Sequence, residues 1–296
     1  FEQSAFVGHD YKAGFISAVM KKFIWQVKRK TRGLTVGDHL MPIIYGEQGA
    51  GKSMMITTFL KPLSGCFKEI AVTLLTDGKT NDIYDYPVLF LEELAEVQEA
   101  SPETLKKVLT GSDINNRTFQ TQSTAAIKQL STFIAATNKR VQTMIRDETG
   151  MRRYVELTMM GPTDREMLNA INFDLLWQSV DEEAADPMLP FTAELKEIQE
   201  AMRVKSSVEE FLEDEFKLLA MDKAAVEDGY IKPAMFYRYY EEWCSRYGHK
   251  VMNKGNFVEK ARSLIQFNHS LKTKWAVRKN GNSFQFRKIE KATLNG

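Results

Sequence analysis

Cysteine is nearly missing from this chain: Cys66 and Cys244 are the only two in 296 residues. Two isolated thiols build no disulfide framework, and beside only four histidines they form no zinc-ligand spacing. A reducing, cytosolic setting is the simplest expectation. No run of about 18 apolar residues is present, so the sequence predicts no membrane-spanning helix. It also shows no signal peptide, internal repeat or low-complexity tract. The chain opens on Phe1 rather than methionine, and a piece of a longer protein is expected.

What is there is the composition of a globular protein, 43% hydrophobic and 27% charged. The net charge of +1 hides a division. Residues 221–296 hold 15 Lys/Arg against 7 Asp/Glu, and the remainder holds 25 against 32. A basic C-terminal part points to a polyanionic partner. A second basic cluster (Lys21, Lys22, Lys28, Arg29, Lys30, Arg32) lies on a predicted helix within 1–33 and reads as a solvated face, the lining of a nucleic-acid path being the alternative.

The strongest motif is Gly46-Glu47-Gln48-Gly49-Ala50-Gly51-Lys52-Ser53, which fits the phosphate-binding loop pattern. Its glycines let backbone N–H groups of Gln48, Gly49, Ala50 and Gly51 approach a polyphosphate without a Cβ clash. Lys52 reaches the β- and γ-phosphates, and the Ser53 hydroxyl ligates Mg²⁺. The predicted strand 41–45 before it and helix 54–60 after it supply the right context, with the helix dipole facing the anion. ATP and Mg²⁺ are the expected ligands.

Further along, Pro87–Leu91 reads as a strand buried on both faces and ending in Glu92-Glu93. Glu92 is assigned to magnesium and Glu93 to activating the attacking water, with the two roles open to exchange. Ser131–Asn138 is another apolar strand, and Asn138 is placed to bond the γ-phosphate or that water. Arg152-Arg153, before a strand at 154–159, suit bidentate phosphate binding, with Arg146 as a lower-ranked candidate. Together with a strand at 70–75, these segments predict an α/β fold with a largely parallel sheet.

With these motifs in order, the chain resembles an AAA+ ATPase of the superfamily 3 helicase type. It is most similar to the helicase part of phage and plasmid primase–helicase fusions, the virulence-associated E and D5-like groups, a phage primase-polymerase being one specific form. The resemblance rests on Gly37-Asp38, the Gly46–Ser53 loop, Glu93-Leu94 with Leu105-Lys106, Thr137-Asn138, and Thr149-Gly150-Met151-Arg152-Arg153-Tyr154. It implies a hexameric ring, a homo-oligomer that hydrolyses ATP between subunits and moves on single-stranded or forked DNA. It implies a fused or associated primase or polymerase and, for a phage or plasmid source, the cytoplasm of a bacterial host. An arginine supplied by the adjoining subunit would be a finger, a device that raises rates about 10³–10⁵-fold. The resemblance also implies a hairpin aimed into the ring's pore, for which Thr118-Phe119 and Ile127-Lys128 are tip or flank candidates; Arg117 and Lys128 are the cations there. An ordinary surface hairpin is the alternative.

The basic C-terminal part reads as a helix at 230–250 stopped by Gly248, then a helix from Asn253 to Gln266 capped by Asn253, then a hairpin over 272–288 turning at Asn280-Gly281. That turn pairs Val277 with Phe284 and Trp275 with Phe286. It sets Lys274 opposite Arg287 and Arg278 opposite Ser283 on a cationic face for DNA phosphate. Helix, helix, basic ribbon is the order of a winged-helix-like module. The expected organisation is an N-terminal helical segment (1–33), an AAA+ ATPase core (34–160), a helical lid or linker (161–220) and the winged-helix-like module (221–296). Two other functional readings remain open: a nucleotide-switched DNA scaffold or loader without unwinding, and a monomeric P-loop kinase or GTPase. The paired Glu92-Glu93, the late arginines and the absence of a guanine-recognition signal argue against the last.

Overall fold

The computed structural model describes residues 1–6, 11–76, 82–94, 102–110, 113–117, 124–145, 151–214, 226–227, 229–281 and 283–289. The chain divides into two compact units, Phe1–Val204 and Lys205–Gly296.

The first unit is built on five parallel strands in the order β2-β3-β6-β1-β7. They are β1 (Met41–Tyr45), β2 (Phe67–Ile70), β3 (Val88–Leu91), β6 (Thr132–Thr137) and β7 (Tyr154–Thr158). A separate antiparallel pair, β4 (Asp113–Arg117) and β5 (Thr124–Lys128), forms a hairpin. The helices are α1 (Glu2–Ala5), α2 (Phe15–Thr31), α3 (Lys52–Phe59), α4 (Thr73–Thr76), α5 (Pro102–Thr110), α6 (Val141–Met144), α7 (Arg165–Asn169), α8 (Phe173–Ser179) and α9 (Thr192–Met202).

Both sheet faces are covered, which is why its strands read as continuous apolar runs. Ile44, Phe90, Ile134 and Leu157 join Phe23 of α2 and Phe59 of α3 in one core. Ile43, Leu89, Leu91 and Phe133 join Leu105 of α5 and Met144 of α6 in the other. The strand expected at 70–75 lies at 67–70, and residues 73–76 form α4; Val72, in the turn before it, and Leu75, within it, are buried in the second core.

Most of the basic cluster of α2 is engaged within the chain rather than solvated. Residues 180–186 strap across it: Lys22 pairs with Asp186 and Arg32 with Glu182. Lys28 Nζ donates to the Val180 carbonyl at 2.6 Å, and Arg29 donates to the Glu182 carbonyl at 2.6 Å. Lys30 points the other way, buried, with its ammonium on the Ser131 carbonyl at 2.6 Å. These contacts within the chain, invisible to a linear reading, engage Lys22, Lys28, Arg29, Lys30 and Arg32, while Lys21 and Arg32 stay exposed.

The second unit holds α10 (Ser207–Glu213), α11 (Pro233–Tyr247), α12 (Lys254–Phe267), α13 (His269–Lys274) and four strands: β8 (Val226–Glu227), β9 (Tyr230–Ile231), β10 (Trp275–Asn280) and β11 (Ser283–Lys288). The strand order is β10-β11-β9-β8, antiparallel throughout. Its core is aromatic: Phe236 stacks on Phe286 at 4.4 Å between ring centroids, and Tyr240 on Phe257 at 4.5 Å. Phe211 of α10 packs on Phe236, Tyr240, Trp243 and Phe257. That packing draws the division between units back to 204/205, ahead of the expected 220/221. Among the described residues, no helix is long and apolar enough to cross a membrane.

Candidate functional site

The loop between β1 and α3 occupies the carboxyl end of the parallel sheet, where ligands of open α/β sheets bind. Gly49 and Gly51 adopt φ of +80° and +90°, a left-handed backbone that disfavours side chains. A Cβ on Gly46 would meet Met159 Cβ at 3.2 Å, and one on Gly51 would meet Thr163 Oγ1 at 2.9 Å. The glycines are therefore needed both for turning and for close approach to the segment after β7. Lys52 folds back across the loop, donating to the Gly46 carbonyl at 2.9 Å and the Glu47 carbonyl at 2.7 Å. Partial burial lowers its pKa. Gln48, Gly49 and Ala50 line a cleft of about 380 Å³ closed on its other side by Met159–Pro162.

Glu92, just beyond β3, is held below the usual carboxylate range first by Glu69 and then by the neighbouring Ser53 hydroxyl at the start of α3. Glu69, on β2, is a residue the sequence reading did not single out. The hydrogen bond with Glu92, then burial and like charge, push Glu69 up to about 7, while its partner Glu92 is held low. Two neighbouring carboxylates, one of them keeping its proton toward neutral pH, therefore stand near the Ser53 hydroxyl. The signal for Glu69 was its place in the apolar-polar run 67–70, obscured by expecting the strand to begin at 70. These hard oxygen donors suit Mg²⁺, which keeps most of its waters and takes one or two protein oxygens. Among the described residues no group of three or more His, Cys, Asp or Glu is arranged to hold a metal.

Glu93 is exposed just beyond β3. Asn138 is exposed just beyond β6, brought beside the loop because Tyr45 pairs with Thr137 and the Gly46 N–H donates to the Thr137 carbonyl at 3.2 Å. The sequence reading also missed Arg140. Its guanidinium bonds buried Glu156 at 2.6 Å and lies 4.2 Å from the Tyr45 ring centroid, while Glu156 accepts the Val141 N–H at 2.8 Å. This pair fixes the backbone that presents Asn138.

Arg152 and Arg153 are not brought to the loop. They precede β7, whose Tyr154 pairs with Met41 and whose Thr158 pairs with Tyr45. That places them at the opposite end of the sheet, roughly 16 Å away at about 3.3 Å per strand residue. Arg152 is exposed. Arg153 is half-buried near Lys30 and His39, and its Nε has no hydrogen-bond partner among the described residues. Arg146 and Thr118-Phe119 lie outside the described residues. Arg117 and Lys128 occupy paired positions at the far and near ends of the hairpin, Arg117 with Thr124 and Lys128 with Asp113.

In the second unit the hairpin register differs from expectation. Asn280 pairs with Ser283, so the turn lies beyond Asn280 rather than centring on Asn280-Gly281, and Val277 faces Phe286. The shift is by two positions, so each residue keeps its face; the pairing of Phe286 with Ile231 of β9 fixes the choice. Lys274 ends α13 and does not pair with Arg287. Nor is the cationic face bare: Arg278 and Arg287 lie over the Tyr230 ring at 4.3 and 4.8 Å, and Arg278 Nε donates to Gln285 at 2.8 Å.

Residues 6–208 match the virulence-associated protein E-like domain. Among solved structures, the apo structure of the NrS-1 C-terminal region is similar to 95% of this chain and 73% of its own, at 17% identity and a TM-score of 0.53. A second structure of that region, its A form, gives 95% and 72% at 17% identity and a TM-score of 0.52. A JCV helicase structure covers 69% of this chain and 66% of its own at 12% identity, but its TM-score of 0.32 is too low to bear on the fold. A search of the curated proteins found no match.

Proposed function

This chain belongs to the virulence-associated protein E-like domain family, and from that premise we propose that it is an ATP-hydrolysing DNA helicase of a phage or mobile-element replication system. The observation that carries the reading is Lys52 folded across Gly46 and Glu47 at the mouth of a left-handed glycine loop, with Ser53 beside Glu92. In this reading Lys52 swings from the two carbonyls onto the β- and γ-phosphates. The loop N–H groups and the start of α3 cradle them. Ser53 and Glu92 hold Mg²⁺, which neutralises charge on the phosphates when bound. Glu93 orients and deprotonates the attacking water, and Asn138, steadied by the Arg140–Glu156 pair, bonds the γ-phosphate or that water.

Placement of Arg152 and Arg153 at the far end of the sheet supports a finger acting on the next subunit's nucleotide, and hence a ring, hexameric by resemblance. Of the two, exposed Arg152 is the better finger, and half-buried Arg153 supports the strand start. Single-stranded DNA would pass the β4–β5 hairpin, and the winged-helix-like second unit would hold DNA.

Lys52→Ala tests this. ATP turnover and unwinding of a forked duplex are expected to disappear while DNA binding persists. Unwinding by that variant at the wild-type rate would end the proposal. ATP-dependent assembly of the wild type on DNA without strand separation would assign a scaffold or loader instead.

A further inference from the structure

A groove of about 460 Å³ lies between α12 and the hairpin of the second unit, on the face away from Tyr230. Trp275, Val277 and Phe284 give it an apolar floor, and Arg262, Lys272 and Lys279 rim it. No described carboxylate lines it. Lys272 and Lys279 have no ion-pair partner among the described residues. Arg262 pairs with exposed Glu259 at 2.9 Å and lays its guanidinium over the Phe284 ring, 5.0 Å from the centroid. By contrast Arg278 and Arg287 are engaged with Tyr230.

We propose that this groove, rather than the Arg278–Arg287 face, is where the second unit holds single-stranded nucleic acid, with an unpaired base on the apolar floor beside the Arg262–Phe284 pair and its phosphates on Lys272 and Lys279. The inference rests on the DNA reading above and names its site. Two features point to that partner. The unpaired Lys272 and Lys279 on the rim complement a polyanion, and an apolar floor rewards a desolvated base face. Duplex DNA buries its base faces in the stack and offers only edges and phosphates, so a single strand fits and a duplex does not. From Trp275 to Lys279 the strand extends roughly 13 Å at about 3.3 Å per residue, so the floor and one rim cation fall along a single strand path.

The test uses the full chain and fluorescein-labelled oligothymidylate, read by anisotropy, with an unlabelled duplex as competitor. Phe284→Ala is expected to weaken binding about tenfold, the scale of one lost stacking contact. Lys272→Glu with Lys279→Glu is expected to weaken it further and flatten its salt dependence. Lys254→Glu, a charge reversal elsewhere on the same unit, should leave binding within about twofold. Because Phe284→Ala also removes packing, photo-crosslinking of wild-type protein with 5-iododeoxyuridine-substituted oligonucleotide is the second measurement, and crosslinks within 262–289 are expected. Equal loss in Lys254→Glu, crosslinks only elsewhere, or a duplex that competes as well as a single strand overturns the proposal. Displacement by polyglutamate with no crosslink in the groove assigns it to an acidic peptide instead. DNA binding with crosslinks outside the groove sinks this inference alone, whereas no DNA binding anywhere sinks the helicase reading with it.

Discussion

Thr163 gives both its backbone N–H and its hydroxyl to one carbonyl, that of Ala50, at 2.9 and 3.0 Å. The segment after β7 thereby holds the glycine loop at its narrowest point, since the same hydroxyl stands where a Cβ on Gly51 would fall. Thr163→Val keeps the backbone bond and loses the other. A net hydrogen bond is worth about 0.5–1.5 kcal/mol, so nucleotide affinity should fall by roughly two- to tenfold. Titration with a fluorescent ATP analogue measures this, and unchanged affinity would show that the second bond is idle. Gly51→Ala combines the clash with a φ of +90°, a strain of about 1–3 kcal/mol, and should lose nucleotide binding altogether.

The arginines can be separated by mixing. Arg152→Ala is expected to lose ATP hydrolysis with little loss of nucleotide affinity. Chains carrying Arg152→Ala and chains carrying Lys52→Ala should partly rescue each other when mixed, because one interface then contains an intact loop and an intact finger. Steady-state ATPase across mixing ratios reads this out. No rescue at any ratio would argue that both groups serve the same subunit. Arg153→Ala should instead lower the melting temperature, since its half-buried side chain fills space beside Lys30, His39 and Phe133.

His39 gives a pH signature. Burial, then the nearby Lys30, Lys22 and Arg153, lower its pKa from 6.5 to about 4. Between those values the unfolded chain binds the proton and the folded chain does not. The stability that His39 contributes is therefore present above 6.5 and is lost as pH falls toward 4. His39→Asn should make the acid limb of the stability profile shallower than that of the wild type. Urea unfolding at pH 7, 6, 5 and 4.5 checks it, and parallel profiles would refute it.

Phe211 tests the boundary between the units. Removing this ring from its aromatic cluster should cost about 3–5 kcal/mol. In calorimetry of Phe211→Ala, the transition of residues 205–296 should move to lower temperature while that of 1–204 stays. A shift of the first transition alone would place α10 with the other unit.

Much of the fold was legible because its signals are local. The largely apolar runs at 41–45, 88–91 and 132–137 report strands buried on both faces, since few other short elements need apolar residues at nearly every position. Asn253 caps α12 by accepting the Asn256 N–H at 3.0 Å, and Gly248 ends α11 at φ +74°; both are written in a single residue. Glu69, Arg140 and Glu156 were not legible. Each matters through a partner on another strand, and nothing near it in the chain names that partner. The cations of α2 were misread for the same reason, because their carboxylates and carbonyls lie some 150 residues away.

By itself the sequence determined the glycine loop, the strands around it, the order of the candidate catalytic groups and the placing of a basic segment at the end. Backbone constraint and hydrophobic period act over a few residues and leave their trace in order and spacing. Tertiary structure alone decided which charges remain available. It tied the α2 cations to residues 180–186, set Arg278 and Arg287 on Tyr230, joined Glu69 to Glu92, and carried Arg152 to the far end of the sheet from Lys52. Electrostatic pairing depends on distance in space, and that distance exists only once the chain has folded.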